Sequence, residues 1–283
     1  MSDLHRSVIT LTCHDRPGIV HAVSGGIVAA EGNITESQQY SSLDTGRFFL
    51  RVQVEHATAP DQLRDCLAPV ATRFDGDLGV DVQGRPIRTL ILVSSAPHCL
   101  NALLARRREG TLPIDVPLVL SNHEALADLA AFYGVPFECH SVSPESKAGM
   151  EARIRQAVAA HDIELVVLAR YMQILSPGLC AFLAGRAVNI HHSFLPGFKG
   201  ANPYRQAHAR GVKVIGATAH FVTAELDEGP IIAQRVAPVD HAKSVAQLVE
   251  IGRDLESTTV VEAVRLFAER RVLTDGIRTV VFD

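Results

Sequence analysis

The sequence contains no apolar run long enough to cross a bilayer. A membrane-spanning helix needs about 20 consecutive apolar residues, and the apolar stretches of this 283-residue chain are all shorter. The polar start MSDLHRS also lacks the apolar core of a secretory signal peptide. We therefore expect a cytoplasmic protein that has no membrane partner.

Cysteine is scarce, and its spacing excludes two common frameworks. The five cysteines are Cys13, Cys66, Cys99, Cys139 and Cys180. An odd number of scattered cysteines without a CxxC pair indicates neither a disulfide framework nor a thiolate zinc site. We expect reduced thiols, most of them packed inside the protein.

Excess basic charge and nucleotide-binding motifs are also lacking. The formal net charge of -4 offers no attractive field for nucleic acid, so we expect no nucleic-acid partner. No GxGxxG or GxxxxGK[ST] motif follows any of the apolar runs. This absence argues against a dinucleotide site and against a P-loop.

The first part of the chain, residues 1–83, has its own succession of strand and helix signals. A chain of this length exceeds what one core usually spans, so two domains are the first expectation. The signals follow the order βαββαβ, with a hairpin turn at LDTG and with Pro60 in a first helical turn. This order predicts a ferredoxin-like domain with a four-stranded antiparallel sheet and both helices on one face.

A second pattern follows a polar segment, residues 84–88, which we predict to be a linker. In residues 89–283, five apolar runs alternate with helical patterns, which predicts a doubly wound, mostly parallel α/β sheet. The runs are Leu90 to Val93, Val116 to Leu120, Leu165 to Ala169, Val188 to Ile190 and Val214 to Ala217. A helix from about Val245 to Glu269 and an apolar tail from Ile277 to Phe282 complete the predicted domain. Ligands of such sheets bind beyond the carboxyl ends of the strands.

Three polar residues near the end of the predicted strand at 188–190 form a candidate catalytic set. Asn189 and His191 point to the same side of that strand because side chains alternate with period two. An amide can stabilise an oxyanion, and a histidine can transfer a proton near neutral pH. Asp227, in the segment LDEGP, can orient His191 or accept a proton. The set predicts attack of water on an acyl carbon without a covalent intermediate.

Other interpretations of these residues stay open at this stage. A histidine at a strand end and an aspartate in a turn are ordinary structural residues. His191, His192, His220 and Asp227 can form a mixed zinc site, although no HExxH motif supports it. Ser193 lies beside the histidines but lacks the GxSxG elbow of a nucleophilic serine.

The segments NIHHSFLPGFKGANPY and ATAHFVTAELDEGP resemble the folate-dependent formyltransferase family. The resemblance covers essentially the whole chain and includes SNHEAL and LARYMQILSP. It implies a catalytic Asn189, His191 and Asp227. It also implies that tetrahydrofolate is substrate and product, and that the reaction needs no metal or redox cofactor.

The resemblance also implies a folate pocket formed by the segments 169–175 and 222–227. The substrate-binding residues implied are Met172, Ile174, Leu175, His192, His220, Val222, Glu225 and Leu226. Met172, Ile174 and Leu175 are apolar enough to contact a flat pterin. Without the resemblance, the favoured interpretation is that they simply cover the end of the sheet.

One departure from the amine-formylating members of that family indicates hydrolysis. Those members have proline where this chain has His192, and a Gly-Ser-Asn phosphate loop where it has SSAPHCL. The chain therefore offers no glycine-rich cradle for a phosphorylated amine. We expect His192, His220 and the GFKGANPY loop to shape a cavity for water. The expected reaction is hydrolysis of 10-formyltetrahydrofolate to tetrahydrofolate and formate; the alternatives are an amine formyltransferase and an inactive amino-acid-sensing protein.

The N-terminal segment DRPGIV resembles the ligand loop of an ACT domain, a module that usually binds amino acids. Pro17 restricts the turn, and Gly18 leaves room where the amides of a helix point outward to meet a carboxylate. We therefore expect an amino-acid effector at Asp15, Pro17, Gly18 and Ile19. The alternative is a helix start with suitable turn residues. The resemblance also implies a homo-oligomer.

Overall fold

The chain folds into two compact units. A computed structural model describes residues 4–197 and 203–283. The first unit combines the chain up to Arg85 with Glu269–Asp283, and the second consists of Pro86–Ala268. Among the described residues, no helix is both long and apolar enough to cross a membrane. All five cysteines are free thiols.

The first unit contains the βαββαβ order that the sequence predicts. Its elements are β1 (His5–His14), α1 (Ile19–Ala29), β2 (Gly32–Ser42), β3 (Arg47–His56), α2 (Pro60–Phe74) and β4 (Asp77–Val82). The strands form one sheet in the order β2-β3-β1-β4, and every neighbouring pair is antiparallel. Pro60 occupies the first turn of α2, where its missing N–H costs nothing.

Both helices pack on the same face of this sheet. Three apolar residues of α1 recur every four positions and therefore lie on one side of the helix; they are Ile19, Val23 and Ile27. Leu63 and Leu67 of α2 enter the same core. The strands contribute alternate residues, such as Leu50 and Val52 of β3, because every second side chain of a strand points to one face. The other face of the sheet, which carries Arg51, is therefore not covered by these two helices.

The second unit is an α/β domain that begins earlier than predicted. Its elements are β5 (Ile87–Val93), α3 (His98–Arg108), β6 (Ile114–Ser121), α4 (Ala127–Phe132), β7 (Phe137–Cys139), α5 (Lys147–Ala160), β8 (Leu165–Leu168), α6 (Pro177–Phe182), β9 (Ala187–His191), α7 (Pro203–Arg210), β10 (Val214–Phe221), β11 (Ile231–Pro238) and α8 (Val245–Ala268). A 3₁₀ turn, Glu124–Leu126, precedes α4. Ile87 and Arg88 already belong to β5, so the predicted linker 84–88 is shorter than expected.

The sheet of the second unit is mostly parallel, as predicted. Its order is β11-β10-β9-β8-β5-β6-β7; β5 to β9 pair in parallel, whereas β10 and β11 are antiparallel to their neighbours. The run that starts at Val214, predicted among parallel strands, therefore runs the other way. The strand order reverses between β5 and β8, which is where ligands of such sheets bind.

Three elements of the second unit were not predicted. β7 has only three residues, α6 has six, and β11 mixes apolar side chains with Gln234 and Arg235. Short or mixed elements carry little periodic signal. By contrast, the central strand β5 is recognisable because Leu90, Ile91 and Leu92 are all fully buried.

The C-terminal tail belongs to the first unit, which corrects the prediction of a single domain over 89–283. It forms an antiparallel pair of strands, β12 (Val272–Asp275) and β13 (Arg278–Val281). Arg51 provides the physical reason: its Nε and Nη2 donate to the carbonyl oxygen of Glu269 at 3.2 and 3.1 Å. Its Nη1 binds Glu36 Oε1 at 2.8 Å. The guanidinium, with a side chain only 2% exposed, therefore anchors the start of the tail.

We predict that Arg51→Ala destabilises the first unit by about 3 kcal/mol, since removal of one partner from a buried ion pair is strongly destabilising. Urea unfolding and hydrogen exchange of the tail amides measure this loss. Arg278→Ala is the matched control, because Arg278 and Asp44 form an ion pair at 2.8 Å whose side chains are 55% and 72% exposed. The control is expected to cost much less, because an exposed ion pair is screened by solvent. Equal losses for the two variants would contradict the anchoring role of Arg51.

Candidate active site

The end of β9 and its antiparallel neighbour β10 bring three polar side chains together. Asn189 and His191 lie two residues apart on β9, and His220 of β10 is paired directly with Asn189. His191 and His220 are buried. The antiparallel direction of β10, which the sequence did not reveal, is thus what places His220 beside Asn189.

Asp227 completes this group from the loop between β10 and β11. Its Oδ2 lies 3.2 Å from His191 Nδ1, and its Oδ1 lies 3.6 Å from His220 Nε2. Asp227 has a left-handed backbone with φ 57°, a conformation that is sparsely populated outside glycine and often occurs at functional sites. Gly229 permits the tight return of the loop, because a Cβ there would lie 1.7 Å from the carbonyl oxygen of Phe221.

The environment of Asp227 keeps its carboxyl group ionised. Burial disfavours the charge, but the hydrogen bond that His191 donates and the charge interactions with both neighbouring histidines outweigh that cost and hold the pKa of Asp227 well below its usual value. A carboxylate can only accept hydrogen bonds, so His191 donates its Nδ1–H to Asp227. Nε2 of His191 is buried and has no hydrogen-bond partner in the described part of the chain. This nitrogen is the free functional atom of the group.

His220 orients the amide of Asn189. Its Nδ1 lies 2.8 Å from the carbonyl oxygen of Phe221 and therefore donates, since a carbonyl can only accept. In the neutral ring, Nε2 then accepts from Asn189 Nδ2 at 3.2 Å. One amide hydrogen of Asn189 is held in this way, and the second is available to a ligand.

A cavity of about 680 Å³ adjoins these residues. It lies within the second unit, at the carboxyl ends of β8 and β9, and its volume is in the usual range for a small-molecule site. All eleven catalytic and substrate-binding residues that the sequence analysis named line it: Met172, Ile174, Leu175, Asn189, His191, His192, His220, Val222, Glu225, Leu226 and Asp227. The structure therefore brings the predicted set together, while their individual roles stay predictions.

One wall of the cavity consists of apolar side chains that are unusually exposed. Met172 is 59% exposed, Ile174 62% and Leu226 60%, whereas Leu175 is buried. Clustered apolar exposure beside a cavity indicates a binding surface rather than a core. The backbone amide of Met172 donates to Ser94 Oγ at 3.0 Å, which attaches this wall to the end of β5.

Four further polar residues line the cavity: His98, Arg170, Tyr204 and Glu256. Arg170 belongs to the segment 169–175 and Tyr204 to the GFKGANPY loop, both of which the sequence analysis associated with the pocket, whereas Glu256 was missed. Glu256 is 2% exposed. Its Oε1 accepts from Tyr204 at 2.7 Å, and its Oε2 accepts from His98 Nε2 at 2.7 Å. Arg170 Nε lies 3.4 Å from the same oxygen. We call these four residues the Glu256 cluster. A signal existed: Glu256 interrupts the buried stripe of α8 that contains Leu248, Gly252 and Val260.

Arg170 links this cluster to His192. Its Nη1 contacts His192 Nδ1 at 2.5 Å, and because arginine can only donate, Nδ1 must accept. Burial, followed by repulsion from Arg170 and His191, lowers the pKa of His192 to about 4, although Glu256 and Asp227 act in the opposite direction. His192 is therefore neutral at physiological pH and carries its proton on Nε2. Its ring stacks on His191 with the centroids 5.0 Å apart.

Two alternatives from the sequence find little support in this geometry. Ser193 Oγ donates to the carbonyl oxygen of Gly197 at 2.9 Å, so its proton is engaged by the backbone rather than by a base. A zinc ion bound to Nε2 of His192 would require the ring proton on Nδ1, whereas Nδ1 accepts from Arg170. Of the GFKGANPY loop, residues 198–202 lie outside the described residues, and Tyr204 lines the cavity.

The described residues contain one other group of potential metal ligands, namely His98, Cys99 and Glu256, with ligand atoms within 4.8 Å of one another. Both oxygens of Glu256 already accept hydrogen bonds. Burial, with a contribution from Glu256, raises the pKa of Cys99 well above its usual value, so the thiol stays protonated. A metal ion would have to displace these contacts and remove that proton.

The predicted effector residues lie in the first unit. Asp15, Pro17 and Gly18 are exposed, and Gly18 caps α1 with φ 96°, a conformation that explains the glycine. Ile19 is 2% exposed and packs in the core. Its side chain therefore stabilises the fold, and only its backbone amide can take part in the predicted effector site, which stays a prediction.

The fold and the strand-end site together define the class of protein. Residues 87–264, almost the whole second unit, match the model of the formyl transferase family. The chain is 48% identical to the formyltetrahydrofolate deformylase of Corynebacterium sp. (strain P-1), and the match covers 99% of each sequence. The crystal structure of formyltetrahydrofolate deformylase from Burkholderia mallei has a TM-score of 0.95 and 48% identity, and the match covers 99% of this chain and 100% of that one.

A glycinamide ribonucleotide transformylase from Symbiobacterium toebii is similar over a smaller part. Its TM-score is 0.65 with 37% identity, and the match covers 71% of this chain and 97% of that one. The chain therefore belongs to the formyl transferase family, within its group of formyltetrahydrofolate deformylases. The similarity to that group extends over the full length of the chain.

We predict that His192 stays neutral between pH 7 and pH 5 and that Arg170→Gln raises its pKa, because repulsion is removed while Glu256 remains. Folding lowers this pKa from the usual 6.5 to about 4, so the unfolded chain takes up the proton first as the pH falls. The free energy of unfolding therefore decreases as the pH falls from 6.5 to about 4.

An NMR titration of the imidazole signals, assigned with His192→Asn, measures this pKa. Arg253→Gln is the control, since Arg253 lines the same cavity but is exposed. A His192 that titrates near 6.5 in the unsubstituted protein would contradict the proposed arrangement.

Proposed function

We propose that the protein hydrolyses 10-formyltetrahydrofolate to tetrahydrofolate and formate. One observation carries the proposal: His191, bound through Nδ1 to the carboxylate of Asp227, presents an unpartnered Nε2 beside the amide of Asn189. This arrangement supplies a base and an oxyanion donor in one cavity. The full-length similarity to proteins named formyltetrahydrofolate deformylase supports the substrate.

The proposed reaction begins with the attack of water on the formyl carbon. Nε2 of His191 accepts the proton of the water, and the carboxylate of Asp227 stabilises the resulting imidazolium. The second amide hydrogen of Asn189 is donated to the formyl oxygen as it becomes an oxyanion. When the bond between the formyl carbon and N10 breaks, His191 returns the proton to N10. Formate and tetrahydrofolate leave. The water oxygen is then in formate, one water hydrogen is on N10, and the other is released as a proton when the formic acid ionises.

We further propose that the exposed apolar wall binds the pterin of the folate. Met172 and Ile174 on one segment and Leu226 on the other can contact the two faces of a flat ring. Burial of apolar surface then contributes about 25 cal/mol per Å² to binding. In this proposal, backbone groups of residues 222–226 bind the hydrogen-bonding edge of the ring.

We predict that the protein releases formate from 10-formyltetrahydrofolate without any added amine, and that EDTA leaves the rate unchanged because the proposed steps need no metal. Asp227→Asn should lower kcat at least about hundredfold, since the carboxylate that supports the imidazolium is lost. Folate binding should change little. Coupled detection of formate and isothermal titration with tetrahydrofolate measure the two effects.

Each arm of this experiment has an outcome that contradicts it. Dependence on an added amine would indicate a formyltransferase, as in the relative from Symbiobacterium toebii. Absence of turnover with intact folate binding would indicate a sensor. Near-normal formate release by Asp227→Asn would refute the role of the carboxylate.

We also propose that the first unit is an ACT-type domain that binds a free amino acid at Asp15, Pro17 and Gly18. Its βαββαβ order supports this assignment. The exposed turn at Gly18 leads into α1, whose first amides can bind a carboxylate. Asp15 can pair with the ammonium group of the same ligand.

We predict that at least one of the twenty amino acids raises the unfolding temperature and changes the rate of formate release. Asp15→Ala should weaken that response because it removes the partner of the ammonium group. Asp61→Ala, an exposed carboxylate in the first turn of α2, is the control. A screen in which no amino acid changes either quantity would refute the effector site.

A further inference from the structure

Burial of the Glu256 cluster costs more free energy than a stable core requires. Glu256 is almost completely buried, and transfer of a carboxylate from water to a protein interior costs several kcal/mol. Well-packed apolar residues at such positions are often equally stable or more stable. Four charged or polar groups from different elements nevertheless lie beside one cavity. Their location indicates a role in that cavity rather than in the stability of the core.

The contacts of the cluster form a chain that ends at His192. Glu256 accepts from Tyr204 of α7 and from His98 of α3. Its remaining contact is with Arg170, which follows β8 and donates to His192 Nδ1. Arg170 has φ 64°, a backbone conformation that non-glycine residues adopt rarely. The position of the guanidinium is thus determined on three sides: by its own backbone, by Glu256 and by His192.

The polar atoms without partners in the second unit also gather here. Among the described residues, the buried side-chain atoms with no hydrogen bond include His98 Nδ1, Arg170 Nε and His191 Nε2. All three residues line the cavity, and the other two atoms of this kind, on Gln38 and Asp275, lie in the first unit. Buried polar groups of native proteins normally have partners. Arg170 Nε faces Glu256 Oε2 at 3.4 Å, whereas His98 Nδ1 and His191 Nε2 are the atoms that indicate where water or substrate atoms bind.

We propose that Glu256, acting through Arg170, fixes His192 as a neutral donor whose Nε2–H orients the attacking water, and that this arrangement makes water the acceptor of the formyl group. Glu256 and Arg170 are positioning residues, and His192 contacts the reacting water. The proposal rests on the hydrolytic function proposed above. It assigns the preference for water to the Glu256 cluster, whose residues line the same cavity as the apolar wall.

The chemistry requires a donor of this kind. His191 Nε2 accepts one proton of the water. One lone pair of the water oxygen attacks the formyl carbon, and the other can accept a hydrogen bond. A neutral ring that donates from Nε2 can hold the second lone pair without competing for the proton. A protonated His192 would instead place a second positive charge beside the imidazolium of His191. Arg170 prevents this state because its donation requires an unprotonated Nδ1.

The test is a double-mutant cycle on kcat with Glu256→Gln and His192→Asn. Glu256→Gln keeps the shape of the side chain and removes its charge. If Glu256 acts through His192, each single variant lowers kcat about tenfold to hundredfold, as misplacement of a reacting group does. The double variant is then no slower than His192→Asn alone.

KM for 10-formyltetrahydrofolate should change less than about threefold, since these substitutions do not alter the apolar wall. Glu250→Gln, an exposed glutamate on the same helix, is the matched control and should leave kcat unchanged.

A competition with hydroxylamine supplies a second readout, which a purely structural role would not alter. Attack by its nitrogen forms a bond to the formyl carbon, breaks the bond to N10 and yields formohydroxamate, with the proton passing to N10. The unsubstituted protein should form formate almost exclusively. Glu256→Gln and His192→Asn should raise the ratio of formohydroxamate to formate at least about fivefold, because water is no longer held in preference.

The outcomes separate this proposal from the proposed function. An unsubstituted protein that releases no formate refutes hydrolysis, and the proposal with it. Hydrolysis by that protein, with additive losses in the cycle and an unchanged product ratio, refutes only the role of the cluster. If Glu256→Gln does not fold, as judged by circular dichroism, Arg170→Lys replaces it in the same cycle. Lysine keeps the charge beside Glu256 but cannot present the planar group that contacts both Glu256 and His192.

Discussion

The carboxylate of Asp227, placed between His191 and His220, is the interaction on which the site depends. It determines which nitrogen of His191 carries a proton, and it contacts the ring of the histidine that binds Asn189. Three features of the fold make it possible. β10 runs antiparallel to β9, the loop after β10 turns back closely at Gly229, and Asp227 adopts a left-handed backbone. A small change in any of these would separate the amide, the imidazole and the carboxylate.

The parts of this arrangement that follow from local rules could be predicted from the sequence. Period two along β9 relates Asn189 to His191, and the apolar runs that precede helices indicate a mostly parallel sheet. The strand-end location of the site follows from the fold class. Resemblance to a family, rather than periodicity, supplied Met172, Ile174 and Leu226, and the structure places their side chains around the same cavity.

Long-range polar contacts could not be predicted in the same way. His98, Arg170, Tyr204 and Glu256 lie far apart in the sequence, and only the interruption of an apolar stripe distinguishes Glu256. The tail after α8 is a similar case, because its apolar pattern suits either domain and the choice depends on Arg51, whose burial has no local signal.

Two carboxylates in one domain, Glu256 buried and Asp227 partly buried, have opposite electrostatic purposes in the proposed mechanism. There, Asp227 stabilises positive charge that develops on His191, so its contribution increases as the reaction proceeds. Glu256 balances a permanent charge on Arg170, and that permanent charge keeps His192 neutral. Both groups have a pKa below the usual value, although burial alone would raise it, because cationic or donating neighbours outweigh the loss of hydration. Neighbouring histidines, stacked 5.0 Å apart, can thus hold different protonation states and perform different tasks.

The difference between a hydrolase and a transferase on this fold is therefore a matter of which nucleophile the cavity holds. A sheet end with an amide, an imidazole and a carboxylate activates a formyl group whatever the acceptor. An amine acceptor needs room and a place for its own substituents, whereas water needs only hydrogen bonds directed at a small volume. In this chain, His98 binds Glu256 at the position where a phosphate loop would have to open, and Tyr204 binds the same carboxylate from α7. The proposed preference for water thus rests on this network, whose contacts occupy part of the cavity that a larger acceptor would need.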